Sequence, residues 1–144
     1  MRVSYIKINC CNIFLEMFRI LIVEDEQLIQ DMYTRVFHNA GYEVDTSADG
    51  VDALKKLSEN VYDMVLLDIM LPKVSGMEVL KKIRTKDSKA YNTPVYLITN
   101  LGQESYVADC IKMGANGYLL KSHYTPEDLL KEIDSHLKSN MPQS

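Results

Sequence analysis

The stretch DMVLLDIMLP, Asp63 to Pro72, decides how this chain folds. Met64 to Leu67 is apolar at four successive positions, so an extended segment there has no polar face. A strand of that kind belongs inside a parallel sheet covered by helices on both sides. The run breaks at Asp68, an isolated carboxylate. Burying a carboxylate is costly without a hydrogen bond, an ion partner or a metal. Asp68 must therefore end its strand at an exposed rim or have a partner.

The same grammar repeats on either side. FRILIV (18–23) reads as a buried strand rich in branched residues. Leu28, Met32 and Val36 recur at a helical interval, and Gly41 closes that helix. YEVDTS (42–47) reads as a short strand, and Val51, Leu54 and Leu57 mark the second helix. Beyond Pro72, Ser75 and Glu78 have capping-box spacing and open a third helix expected to reach about Lys86. PVYLIT (94–99) is the fourth strand, and Val107 and Ile111 mark a fourth helix ending near Gly114. GYLLK (117–121) is the fifth strand; Thr125 before Pro126 starts the last helix, carrying Leu130, Ile133 and Leu137. This (βα)5 alternation predicts an α/β fold, a doubly wound parallel five-stranded sheet.

The totals agree with one such domain. The chain has 144 residues, 47% hydrophobic and 25% charged, with net charge −4, which gives no reason to expect a nucleic-acid surface. Cys10, Cys11 and Cys110 lack metal-ligand spacing and fit a reducing, cytoplasmic setting. Lys7, Asn9, Asn12 and Glu16 interrupt the apolar start, which is too broken for a signal peptide or a membrane span. Residues 1–17 are read as an N-terminal extension, disordered or created by a misplaced start with Met17 as the true first residue. The rival reading is a short helix or strand packed on the domain. Residues 18–139 are the domain, 140–144 a tail, and no second domain is expected after it.

Four strands end in polar residues: Glu24 and Asp25, Asp68, Thr99, and Lys121. Ligands of doubly wound sheets sit beyond the carboxyl ends of the strands, at the switch point. Under a 2-1-3-4-5 order, strands one and three are neighbours, which brings Asp25 to Asp68. Carboxylates that close repel, and a divalent cation relieves the conflict. Oxygen-only ligands favour a hard ion such as Mg²⁺. A metal, two carboxylates, an ammonium and a hydroxyl suit a transferring phosphoryl group, and one carboxylate can become an aspartyl phosphate.

The motifs LIVEDE, VLLDIMLP, VYLIT and GYLLK, in this order and at these intervals, resemble those of the response-regulator receiver domain, over about Phe18 to Lys138. The resemblance implies the flavodoxin-like order and a stand-alone switch of a two-component phosphorelay. It implies Asp68 as phosphoacceptor, Asp25 as direct Mg²⁺ ligand, Glu24 as a ligand through water, and the Met70 carbonyl as a further ligand beside Asp68. Lys121 would pair with the acceptor and then with the phosphoryl group, Thr99 would bond a phosphoryl oxygen, and Tyr118 would turn inward to report the event. The implied partners are a sensor histidine kinase or histidine phosphotransfer protein and an unknown downstream protein, without direct contact to nucleic acid or membrane. A phosphorylation-dependent homodimer through the fourth helix and fifth strand stays open.

Three features depart from the family pattern. Ser122 follows Lys121 where proline in a cis peptide is usual, so the bond is either trans with a shifted loop or cis at a cost of about 2.5–4 kcal/mol. Asn100 stands where a small residue is usual, to crowd the entrance or add a hydrogen bond. Met70 and Leu101 add apolar bulk expected to hinder attacking water and prolong the phosphorylated state. Of the other classes, an aspartyl phosphohydrolase of the haloacid dehalogenase type carries a second aspartate where Met70 stands, and a flavin-binding module would have to seat phosphate against the acidic EDE. A scaffold that is never phosphorylated leaves Asp25, Asp68, Thr99 and Lys121 without a purpose. His38, His123 and His136 show no partner pattern and are expected on the surface or in loops.

Overall fold

The computed structural model describes residues 4–8 and 13–140, and the side chains from Met17 onward. In the expected extension, Ser4–Ile8 (β1) and Ile13–Met17 (β2) form an antiparallel two-stranded sheet of their own, Ser4 opposite Met17 and Ile8 opposite Ile13. Residues 1–3, 9–12 and 141–144, including Cys10, Cys11 and most of the tail, lie outside the described residues.

From Arg19 onward the predicted alternation stands: β3 Arg19–Val23, α1 Gln27–Asn39, β4 Glu43–Ser47, α2 Gly50–Glu59, β5 Met64–Asp68, α3 Gly76–Ile83, β6 Val95–Thr99, α4 Glu104–Lys112, β7 Gly117–Leu120 and α5 Pro126–Ser139. The strands are all parallel in the order β4-β3-β5-β6-β7, the doubly wound 2-1-3-4-5 arrangement. The central strands are apolar on both faces because both are covered. Leu21, Val65, Leu67 and Leu97 pack toward α2, α3 and α4. Ile20, Ile22, Leu66 and Ile98 pack toward α1 and α5.

Local sequence sets the helix starts. Ser75 and Glu78 form the predicted reciprocal cap, and Thr125 with Asp128 forms a second one ahead of Pro126. Gly41 and Gly114 take left-handed φ values of 94° and 105° just past α1 and α4. Helix α3 stops at Ile83, short of Lys86, because Arg84 turns out of the helix. Its guanidinium donates to the carbonyls of Ala90 (2.9 Å), Thr93 (2.7 Å) and Gly114 (3.1 Å), tying down the long loop to β6.

The apolar stripe that marks α1 in the sequence is not the face this helix buries. The stripe Leu28, Met32 and Val36 does not face the core: Leu28 is 80% and Met32 48% exposed. Helix α1 buries Gln30, Tyr33 and Phe37 instead. Phe37 stacks edge-on against Tyr42 at 5.3 Å, and burying such a ring contributes roughly 1.5–3 kcal/mol. Gln30 is inward because its amide donates to the carbonyls of Glu24 (3.0 Å) and Ser47 (3.2 Å). The same rotation recurs more mildly elsewhere: Val51 and Ile111 are exposed, while Ala53, Val107 and Cys110 are buried.

Candidate functional site

Parallel pairing puts the polar strand ends on one rim. Val23 lies opposite Leu67 and Asp68 opposite Ile98, so Glu24, Asp68 and Thr99 emerge side by side. Lys121 follows β7, its backbone N–H donating to the Thr99 carbonyl at 2.8 Å. The start of α3 crosses tightly behind Asp68: a Cβ at Gly76 would meet the Asp68 carbonyl oxygen at 2.2 Å, so only glycine fits.

At this rim the Lys121 ammonium lies 2.9 Å from Asp68 Oδ2 and 2.7 Å from Glu24 Oε2. Glu24 is fully buried and Asp68 is 4% exposed, whereas Asp25 opens to solvent. Glu24, Asp25 and Asp68 each offer a carboxylate oxygen within 4.8 Å of the others. The Met70 N–H donates to Asp68 Oδ1 at 3.1 Å, and the Glu26 N–H to Glu24 Oε1 at 3.2 Å.

Burial pushes the Asp68 carboxyl above its ordinary range, and Asp25 adds to the rise; Lys121 and the Met70 N–H oppose it without cancelling it. Burial likewise raises Glu24, aided by Asp68 and opposed by Lys121. For Lys121 burial works against the charge, but the bonds to Glu24 and Asp68 win and raise it. The cluster is thus short of positive charge, and its oxygen-only donor set fits a hard divalent cation.

The remaining predicted residues lie around this rim. Thr99 is buried, its hydroxyl donating to Gln103 Oε1 at 2.5 Å. Tyr118 is 52% exposed and lines a cavity of about 470 Å³ with Thr99, Gln103, Val107, Ile111 and Leu120. Met70 and Leu101 are 55% and 63% exposed beside the site. Asn100 is exposed and its N–H donates to Gln103. Among the described residues no peptide is cis, so Lys121–Ser122 is trans, with the ammonium on Asp68 all the same.

Two residues carry more than their sequence indicated. Gln103 lies four positions after Thr99, a spacing that became informative only once α4 began there. His136 was expected to be partnerless, but its ring meets Tyr96 edge-on at 5.1 Å, with Nδ1 3.2 Å from the tyrosine hydroxyl. Its i, i+3 relation to Ile133 on α5 was the available signal.

Comparison with known proteins agrees with this geometry. The family described as the response regulator receiver domain matches residues 20–134. The chain is 37% identical over 115 residues to the transcriptional regulatory protein DltR of Streptococcus agalactiae, covering 80% of this chain and 50% of that protein. It is 36% identical over 122 residues to the response regulator ArlR of Staphylococcus aureus, covering 85% and 53%. It thus spans about half the length of these curated relatives. Among solved structures, a CheY-like receiver domain protein of Methanospirillum hungatei superimposes with TM-score 0.77 at 28% identity, covering 85% of this chain and 95% of the other. The chemotaxis protein CheY4 of Vibrio cholerae gives TM-score 0.75 at 32% identity, covering 83% and 98%. A doubly wound sheet whose strand ends gather an acid cluster and a lysine, matched along most of its length, makes this chain a member of the response-regulator receiver family, the signalling switches of two-component systems.

Proposed function

We propose that the chain is a phosphoacceptor switch, taking a phosphoryl group onto Asp68 from a sensor histidine kinase or histidine phosphotransfer protein in the cytoplasm. The observation that carries this reading is the Lys121 ammonium between Asp68 and Glu24, in a pocket with more carboxylates than cations. Mg²⁺ fits the donor set: Asp25 would hold it directly, Glu24 through water, with Asp68 and the Met70 carbonyl completing the protein ligands. When bound, the ion neutralises charge on the transferring phosphoryl group.

The chain's own residues do the rest. An Asp68 carboxylate oxygen attacks phosphorus while the bond to the donor breaks, its electron pair leaving with the donor. Lys121, already on Asp68, is within reach of the incoming phosphoryl oxygens. The Thr99 hydroxyl turns to donate to one of them, and the Tyr118 ring moves from its exposed position into the cavity beside Thr99. The change at the site thereby becomes a change of surface along α4 and β7, read by a downstream protein or by a second copy of the chain. The chain turns over no separate substrate; it assists its own phosphorylation and hydrolysis.

Incubation with acetyl phosphate and Mg²⁺, followed by intact mass, tests this. The expected result is a gain of one phosphoryl group by the wild type and none by Asp68→Asn or in excess EDTA. Equal uptake by Asp68→Asn would overturn the assignment.

A further inference from the structure

Thr99 is buried, and its hydroxyl proton is already committed. It donates to Gln103 Oε1 at 2.5 Å, with a weaker approach to the Asn100 carbonyl at 3.2 Å. The same Gln103 oxygen accepts the Asn100 N–H at 3.1 Å. Gln103 is the residue ahead of α4, yet its side chain makes no capping bond to that helix. It folds back over the end of β6 instead, on the wall of the cavity that Tyr118 also lines.

A hydroxyl has one proton to donate, so Thr99 cannot serve Gln103 and a phosphoryl oxygen together. An amide oxygen has two lone pairs, so Gln103 can release Thr99 and still hold the Asn100 N–H. The acceptor is not orphaned by the release, which keeps the exchange reversible. We infer that Gln103 is a positioning residue that holds the Thr99 hydroxyl at rest and sets how readily it is handed to the phosphoryl group. This rests on the phosphoacceptor reading and adds to it a residue-level setting of the switch. One neutral hydrogen bond weights the resting state, so its removal shifts the equilibrium toward the engaged state about fivefold. Asn100 is exposed, and water can replace its lost acceptor.

The test is titration of the full chain with beryllium fluoride and Mg²⁺, read by fluorine NMR of the bound anion. Gln103→Ala is expected to bind about fivefold more tightly than wild type. Gln103→Glu is expected to bind more weakly, because a carboxylate grips the hydroxyl harder and adds negative charge near the anion. In a Thr99→Ala background the gain from Gln103→Ala should vanish. A side chain that merely braced α4 would change thermal unfolding and keep its effect without Thr99. The inference is overturned if Gln103→Ala binds no tighter than wild type, or if its gain persists in Thr99→Ala. If wild type and Asp68→Asn alike bind no beryllium fluoride, the phosphoacceptor reading falls, and the latch with it.

Discussion

Strand β3 has an ionic cluster at each end, and the two behave oppositely. At its start, the Arg19 guanidinium lies 2.7 Å from Asp45 and 3.4 Å from Glu43, its carbon 5.0 Å from the centre of the Tyr62 ring. Tyr62 also donates its hydroxyl to Asp45 at 2.7 Å, and the Arg19 N–H donates to Asp63 at 2.8 Å. At its other end, Lys121 faces Glu24 and Asp68, with Asp25 beside them. Both clusters set one cation among several acids. Burial opposes charge on Asp45, but the bonds from Tyr62 and Arg19 prevail and hold its carboxyl below the ordinary value. Glu24 and Asp68 are held above theirs, because burial there exceeds what one lysine and a few N–H donors return. The side chains of Asp45 and Glu43 keep 31% and 46% exposure, against 0% and 5% for Glu24 and Asp68. The difference separates a solvated cluster, whose ion pairs tie neighbouring strands together, from a desolvated one, whose carboxylates are held toward their neutral form. Perturbed carboxylates gathered in one pocket are a mark of function.

The largest effect should come from Lys121→Met, which leaves Glu24 and Asp68 buried without a counter-charge. Urea unfolding in EDTA near neutral pH is expected to show a loss of about 3 kcal/mol. Groups with raised folded pKa values are most stabilising when protonated, and that contribution disappears as pH climbs through the raised values. The penalty of Lys121→Met should therefore shrink as pH falls toward the ordinary carboxylate values of 4.5 and 3.8. A loss independent of pH would remove the electrostatic account of this site.

Next in size is the response to the ion. At ten times its dissociation constant, Mg²⁺ is expected to raise unfolding stability near neutral pH by about 1.4 kcal/mol, since it binds only the folded cluster. The gain should fade as Glu24 and Asp68 take up protons. Mg²⁺ that stabilises Asp25→Asn as strongly as wild type would place the ion elsewhere.

The smallest effect belongs to the opposite rim. Asp45→Asn is expected to cost about 0.5–1 kcal/mol at neutral pH, the worth of a partly exposed ion pair. Asp45 has a lowered folded pKa, so its contribution exists above the ordinary 3.8 and is lost as pH falls through the lowered value. Wild type and Asp45→Asn should then converge in acid, and Mg²⁺ should shift both equally. A Mg²⁺ response altered by Asp45→Asn would dissolve the distinction between the two ends of the sheet.

The strands, their order of appearance and the polar residue ending each were legible in the chain, because period and punctuation are local properties. The caps at Ser75 and Thr125 were legible for the same reason. Asp68, Glu24, Asp25 and Lys121 stood out because each breaks an apolar run at the rim where doubly wound sheets bind ligands. Which face of α1 turns inward was not legible. Leu28, Met32 and Val36 share the period of Tyr33 and Phe37, and hydrophobicity alone does not choose between two apolar stripes on one helix. Tertiary contact chose: Tyr42 supplied an aromatic neighbour, and the carbonyls of Glu24 and Ser47 gave the Gln30 amide buried acceptors. Gln103 escaped for a related reason, since its partner became near only when the backbone turned from β6 into α4. Which residues carry charge at the strand ends was thus determined by sequence alone. How much water reaches them, and so which cluster is strained, was decided only by the packing, because desolvation depends on every neighbour at once.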